Sequence, residues 1–328
     1  MTKEEMEISD VESDITPTQE RQYDSEDESE VKKLKQDKFL PRTLRNLNTT
    51  FDSINYKTPL IKSTDPIILG VDEAGRGPIL GPMVYTVAYC SESFTPRLRH
   101  YGFDDSKVLK HDFRLKLMKD MDNENHELFQ VGHLTTVMSA KDISSGMLRV
   151  HGQGAYNLNA QAHDTTINLI KDLIKQNDEN DGGLNIAHVY IDTVGPPEKY
   201  QAKLKSIFPN INFTVAKKAD SKYPIVSAAS IVAKVSRDLY LENYNESETL
   251  LKGTKIGSGY PSDPNTSAWL KQQVDKVFGW HYGLVRYSWQ TARDSLINNH
   301  AAKVTYEEPD VGLDVKVSSN LFGSNATL

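Results

Sequence analysis

A single cysteine in 328 residues leaves Cys90 without a partner, so neither a disulfide framework nor a cysteine-ligated zinc centre is available. No apolar run approaches the roughly 20 residues needed to cross a bilayer, and no membrane role is expected. Missing too is the basic-then-apolar layout of a secretory signal, since the chain opens MTKEEMEISD. A nuclear protein, or one shared with the cytoplasm, is the expectation. No segment repeats at a fixed spacing, which sets aside solenoids and propellers. An overall basic balance is also lacking: the net charge is −7. That deficit is local. Residues 1–31 carry twelve Asp/Glu against Lys3 and Arg21, and residues 304–328 carry four acids against Lys316, which leaves the body, 32–303, at +6. Such a surplus permits nucleic-acid binding without demanding it.

What is present divides the chain. Residues 1–31 are acidic, serine-rich and poor in large apolar side chains, the composition of a disordered tail. A basic stretch from Lys32-Lys33 to Arg45 opens a linker and lead-in that extends to residue 64. A catalytic domain is expected over 65–250, a helical C-terminal portion packed on it over 251–303, and a tail or partner-contact segment over 304–328. Five strands are expected: Pro66 to Val71, Met83 to Tyr89, Leu128 to Val137, Ile186 to Ile191, and Phe213 to Ala216. Helical spacing runs over Ala155–Ile174, Glu198–Phe208 and Ile225–Tyr244. The order implies one mixed-sheet α/β domain.

Three of the strands run into carboxylates: Asp72 with Glu73, Asp192, and Asp220 a few residues past its strand. Ligands of open α/β sheets sit beyond strand ends. Acids gathered there repel one another unless a cation lies between them, and oxygen ligands without His or Cys suit Mg²⁺ or Mn²⁺. Two such ions can clamp the attacking and leaving oxygens of a phosphoryl displacement. Taken singly, an Asp after a strand is more often a turn residue or helix cap. The Gly75-Arg76-Gly77 turn is open to two readings: a tight turn with a solvated arginine, or a backbone that approaches a ligand closely.

The local sequences narrow this. Gly70-Val71-Asp72-Glu73-Ala74-Gly75-Arg76-Gly77-Pro78, Asp105-Ser106-Lys107 and Tyr190-Ile191-Asp192-Thr193-Val194-Gly195 come first. Lys218-Ala219-Asp220-Ser221-Lys222-Tyr223-Pro224 follows and runs on to Ala233-Lys234-Val235-Ser236-Arg237-Asp238. Gly257-Ser258-Gly259-Tyr260-Pro261-Ser262-Asp263-Pro264 and Val285-Arg286-Tyr287-Ser288-Trp289 complete the series. In these motifs, from about residue 65 to 295, the chain resembles the ribonuclease HII (type 2 ribonuclease H) family, and within it the eukaryotic catalytic subunits.

The resemblance implies a ribonuclease H-like fold, a five-stranded mixed sheet flanked by helices, with a helical C-terminal portion. It implies catalytic metal ligands at Asp72, Glu73, Asp192 and Asp220, holding two Mg²⁺ or Mn²⁺ ions. Gly75, Arg76 and Gly77 would recognise the ribose 2′-OH, the group that separates RNA from DNA. Lys107, Lys222, Lys234 and Arg237 are candidates for phosphate contacts, and Tyr260 for a contact with the next sugar. Asn159 and His163 would lie near the substrate, whereas Trp280, Tyr282, Tyr287 and Trp289 would pack the C-terminal unit. The implied reaction is hydrolysis on the 5′ side of ribonucleotides, in RNA/DNA hybrids and at single ribonucleotides in duplex DNA, leaving 3′-OH and 5′-phosphate. Two non-catalytic protein subunits are implied as partners in a heterotrimer. The alternatives are a non-catalytic hybrid-binding protein on the same fold, a structural subunit whose acids cap helices, and a DNA nuclease of that fold.

Overall fold

The computed structural model describes residues 39–46, 51–104, 108–149, 156–180, 183–193, 196–247 and 255–303. The tail 1–31, Asp105-Ser106-Lys107, Val194-Gly195 and the segment 304–328 lie outside the described residues.

Six strands form one sheet: β1 (Ile54–Lys57), β2 (Ile67–Ala74), β3 (Met83–Ser91), β4 (Gly132–Met138), β5 (Ile186–Asp192) and β6 (Asn212–Ala216). Their order in space is β1-β4-β3-β2-β5-β6. The pairs β1–β4, β4–β3 and β3–β2 are antiparallel, while β2–β5 and β5–β6 are parallel. This is the expected mixed sheet with one strand added. β1 comes from the lead-in and pairs Ile54 with Val137 at the sheet edge. Its four residues alternate between half-buried and exposed, too short a period to register against the surrounding polar sequence.

Eight α-helices are α1 (Thr95–His100), α2 (His111–Asp122), α3 (Ala140–Met147), α4 (Leu158–Asp178), α5 (Pro197–Ile207), α6 (Pro224–Ser247), α7 (Pro264–Gln272) and α8 (Gln290–Asn298), all among the described residues. None is long and apolar enough to cross a membrane. β2 is buried on both faces, which is why its sequence is a continuous apolar run. Ile67, Leu69 and Val71 of β2 join Ile167, Ile170 and Leu173 of α4 and Leu204 of α5 in the main core. The other face carries α6, which crosses β2 at Gly70. A Cβ at that glycine would lie 2.3 Å from the Ile225 backbone. Backbone meets backbone there, and only glycine fits.

Two boundaries move for local reasons. Leu128 belongs to a 3₁₀ turn, Glu127–Gln130, because the His126 ring accepts from the Leu128 N–H at 3.1 Å. α4 starts at Leu158 because the Asn157 side chain caps it, accepting from the Ala160 N–H at 3.0 Å. The α7–α8 portion is fastened to the β2–β3 connection. Ile79 N–H donates to the Gly259 carbonyl at 2.8 Å, Gly81 N–H to Leu284 at 2.8 Å, and Arg286 N–H to Ile79 at 2.9 Å.

Candidate active site

Strand alternation and strand ends place the four acids. Asp72, two residues before the end of β2, and Asp192, the last residue of β5, stand on neighbouring parallel strands one step beyond the Val71–Ile191 pair that closes their ladder. Residue 72 falls on the α6 side of β2, where Ser230 donates a hydrogen bond to it, and its Oδ1 accepts from the Glu73 N–H at 2.7 Å. Glu73, one residue on, turns to the other side and lines a cleft with Val71, Ile191 and Asp192. Asp220 follows β6 in the turn before α6 and is buried. That turn is tied to β5 by the Ala219 N–H, which donates to Asp192 Oδ1 at 2.8 Å. Lys218 takes a positive φ of 53° in the same turn, a conformation that costs a non-glycine residue on the order of 1 kcal/mol or more.

Electrostatically the site is overloaded with negative charge. Burial first, then the charges of Glu73 and Asp192, push the Asp72 carboxyl well above the usual carboxylate range, against the hydrogen bonds from Ser230 and the Glu73 N–H. Among the described residues no three carboxylate, imidazole or thiol groups close into a ready-made metal cage. The acids line strand ends, and a cation between them would relieve the repulsion.

Arg286, singled out for no role by sequence, holds the Gly75-Arg76-Gly77 loop. It is 0% exposed. Its Nε donates to the Gly81 carbonyl at 2.9 Å, one terminal nitrogen to Arg76 at 3.1 Å, and the other to Gly75 at 2.6 Å. Burial and the nearby Arg237 charge bring its guanidinium down to about 9. Gly75 itself has φ +82°, and a Cβ there would meet Arg237 Cδ at 2.6 Å. The Arg76 side chain donates to the side-chain Oδ1 of Asn159 and lies 3.9 Å from Glu73.

The expected phosphate contacts separate. Arg237 is 2% exposed, donates to the Ser258 carbonyl at 2.8 Å, and supports Gly75 and the Tyr260 loop from beneath. This departs from the expectation of an open phosphate contact, because α6 packs on the sheet along the face that carries residue 237. Lys234 is half-buried and gripped by both carboxylate oxygens of Asp238, at 2.6 and 2.7 Å. Lys222 is exposed, and Lys107 lies outside the described residues. Tyr260 is 43% exposed and stands against the glycine loop: a Cβ on Gly77 would lie 3.4 Å from its ring. Arg237 sits 5.8 Å from the ring centre.

On α4, His163 stacks on Tyr200 of α5 at 3.8 Å, so both expected α4 residues do line the cleft beside Glu73. Trp280 packs as expected, with its Nε1 donating to Leu270 at 2.9 Å. Trp289 does more than pack. Its indole N–H donates to the Gly77 carbonyl at 3.2 Å, and its ring lies under Arg286. A charged residue inside the aromatic segment Val285-Arg286-Tyr287-Ser288-Trp289 was the available signal for Arg286, since a buried arginine needs carbonyl or acid partners.

The family described as Ribonuclease HII matches residues 69–292. A ribonuclease H2 subunit of Schizosaccharomyces pombe is 49% identical over 79% of this chain and 76% of its own length. The corresponding subunit of Neurospora crassa is 46% identical over 82% of each. In structure, the ribonuclease H2 from Pyrococcus horikoshii OT3 superposes with a TM-score of 0.56 at 30% identity, over 72% of this chain and 100% of that one.

Proposed function

Because the chain belongs to the ribonuclease HII family and is a ribonuclease H, we propose that it cuts the phosphodiester on the 5′ side of ribonucleotides. Its substrates are RNA in RNA/DNA hybrids and single ribonucleotides embedded in duplex DNA, and the products end in 3′-OH and 5′-phosphate. The observation that carries this is the buried Asp72 carboxyl, flanked by Glu73 and Asp192, one turn of chain from a glycine loop whose backbone is held rigid from below.

Asp72, Glu73, Asp192 and Asp220 would hold two Mg²⁺ or Mn²⁺ ions. The fit is chemical: the donors are all hard oxygens, and Asp72 is otherwise pushed toward its neutral form by burial and by like charges. Bound there, divalent cations neutralise the phosphate and lower the pKa of an attacking water. The chain's own residues do the selecting. Arg286 takes up the carbonyls of Gly75 and Arg76, so the loop is held in one shape, with Gly77 against Tyr260. A substrate ribose held by that loop contributes its 2′-OH, and a deoxyribose has nothing to offer in its place. Tyr260 gives the next sugar a flat surface.

The relatives are named as one subunit of ribonuclease H2, which supports work within a multi-subunit assembly, and two non-catalytic partner proteins complete it in this proposal. The test is a duplex DNA carrying one ribonucleotide, incubated with Mg²⁺ and the full chain with co-expressed partners. One cut on the 5′ side of the ribonucleotide is expected, with a 3′-OH that a polymerase extends, and none in the all-DNA duplex. Equal cutting of both duplexes, or of neither, overturns the proposal.

A further inference from the structure

A cleft of about 330 Å³ opens beside Glu73 and Asp192 and runs between α4 and α5. Arg76, Asn159, His163, Lys199, Tyr200 and Lys203 form its walls beyond the acids. Its volume lies at the small end of the range for ligand pockets, large enough for one nucleotide unit and too small for a duplex. Both signs of charge line it: the carboxylates of Glu73 and Asp192, with the Arg76 guanidinium 3.9 Å from Glu73, and Lys199 and Lys203 on α5.

The two lysines are four apart on α5, so they share a face, and that face is the one turned to the cleft. Lys203 lies 3.4 Å from Asp164, whose other oxygen accepts from the Tyr156 hydroxyl at 2.8 Å. Lys199 is exposed and has no carboxylate partner among the described residues. It also occupies the first turn of α5, where the helix dipole favours acids and disfavours a cation. Packing does not call for a lysine at an exposed position, and helix electrostatics oppose it. A ligand that brings negative charge would compensate. Between the lysines and the acids, the imidazole of His163 lies flat on Tyr200 at 3.8 Å and 10°, a rigid wall beside which a sugar can rest.

We propose that this cleft is a nucleotide subsite, in which Lys199 and Lys203 hold a backbone phosphodiester of the bound duplex neighbouring the one that is cut. The proposal rests on the nuclease function above. A polyanion drawn across a cluster of carboxylates needs cationic anchorage beside them, and α5 supplies it on the side away from Tyr260. Phosphate contacts of this kind position a strand and set its register without reading sequence.

The full chain is titrated against a fluorescein-labelled duplex carrying one ribonucleotide, in EDTA, over a series of salt concentrations. The Lys199→Gln/Lys203→Gln variant is expected to bind about tenfold more weakly, and its log–log salt slope to fall by about 0.9 per lost contact. In Mg²⁺ its KM rises by a similar factor while kcat stays within about twofold, as loss of uniform binding requires. Lys175→Gln, an exposed lysine on α4 outside the cleft, controls for general charge and leaves both values unchanged. A neutral methylphosphonate is then walked along each strand. At one linkage it should weaken the wild type as the double variant is weakened, and cost the double variant nothing further. The strand on which that linkage lies tells whether the cleaved or the paired strand enters the cleft, and either result supports the subsite. A double variant with wild-type salt slope and KM, in an enzyme that cuts normally, overturns the subsite alone. A wild type that cuts no ribonucleotide-containing duplex overturns the nuclease function itself.

Discussion

Arg286 and Gly75 are 211 residues apart in sequence, yet a guanidinium nitrogen of the first donates to the carbonyl oxygen of the second at 2.6 Å, from a fully buried position. A cation in the C-terminal portion thus holds the loop that follows the first two acids. Two further carbonyls, of Arg76 and Gly81, share the same side chain.

Replacing Arg286 with Gln should orphan carbonyls at a cost of roughly 1–3 kcal/mol each and loosen the glycine loop. Arg286→Lys keeps the charge but not the fork. Both variants should lose discrimination at a single ribonucleotide, with the larger fall in melting temperature for Gln. If Arg286→Lys keeps the wild-type kcat/KM ratio between ribonucleotide-containing and all-DNA duplexes, the arginine serves stability only.

Asp72→Asn and Asp192→Asn should each reduce kcat by a factor on the order of 10³, the scale of losing a transition-state electrostatic contact, with substrate binding largely kept. Asp72→Asn should also raise the melting temperature of the metal-free protein, because it removes a buried charge that Glu73 and Asp192 repel. Near-normal turnover in Asp192→Asn would refute the assignment.

Tyr260→Ala should impair cleavage at a lone ribonucleotide more than within a run of RNA. Stacking contributes about 1–3 kcal/mol per base in single-strand binding, and a sugar contact should fall at or below the low end, a several-fold effect. At a lone ribonucleotide the next sugar is a deoxyribose, whose apolar side can lie against the exposed ring, whereas inside a run that sugar carries a 2′-OH. The readout is the ratio of kcat/KM for the two substrates, and an unchanged ratio leaves Tyr260 as a loop anchor.

Two truncations separate the acidic tail from the lead-in. Removing residues 1–31, acidic and poor in large apolar side chains, should leave melting temperature and cleavage intact. Removing residues 1–46 takes away the buried Leu44 and the Thr43–Ser236 hydrogen bond of 2.7 Å to α6. Loss of that apolar side chain and that bond should cost about 2–4 kcal/mol, read by urea unfolding. Equal midpoints for the two truncations would contradict this.

Acid should act through His133 in β4. Burial pushes its imidazole down to about 3 from an ordinary 6.5, and its Nε2 has no hydrogen-bond partner among the described residues. The folded state binds its proton less readily than the unfolded chain. Its contribution is therefore complete above pH 6.5 and is lost as pH falls toward 3. At pH 5 the loss is about 2 kcal/mol, from 1.36 kcal/mol per pH unit. His133→Leu should flatten melting temperature between pH 7 and 5; a variant curve parallel to the wild type would place the acid sensitivity elsewhere.

Sequence alone determined the mixed α/β class, five of the six strands (β2 to β6) and the family, because those are written in local runs: an apolar stretch buried on both faces and running into Asp72-Glu73 announces itself within eight residues. It also determined the four candidate acids, whose motifs are contiguous. Tertiary structure decided what neighbouring side chains do. Lys234 and Arg237 are three apart and look equivalent in sequence, yet one is half exposed and locked to Asp238 while the other is buried under Gly75 and Tyr260. Nothing local marked β1, whose paired strand, β4, lies some 80 residues on. For Arg286 the local signal, a charge inside an aromatic segment, gave no partner, because its three carbonyl acceptors lie 205 to 211 residues away. Propensity and pattern are local quantities, but the fate of a buried charge depends on which groups the fold brings within hydrogen-bond reach, and only the closed chain settles that.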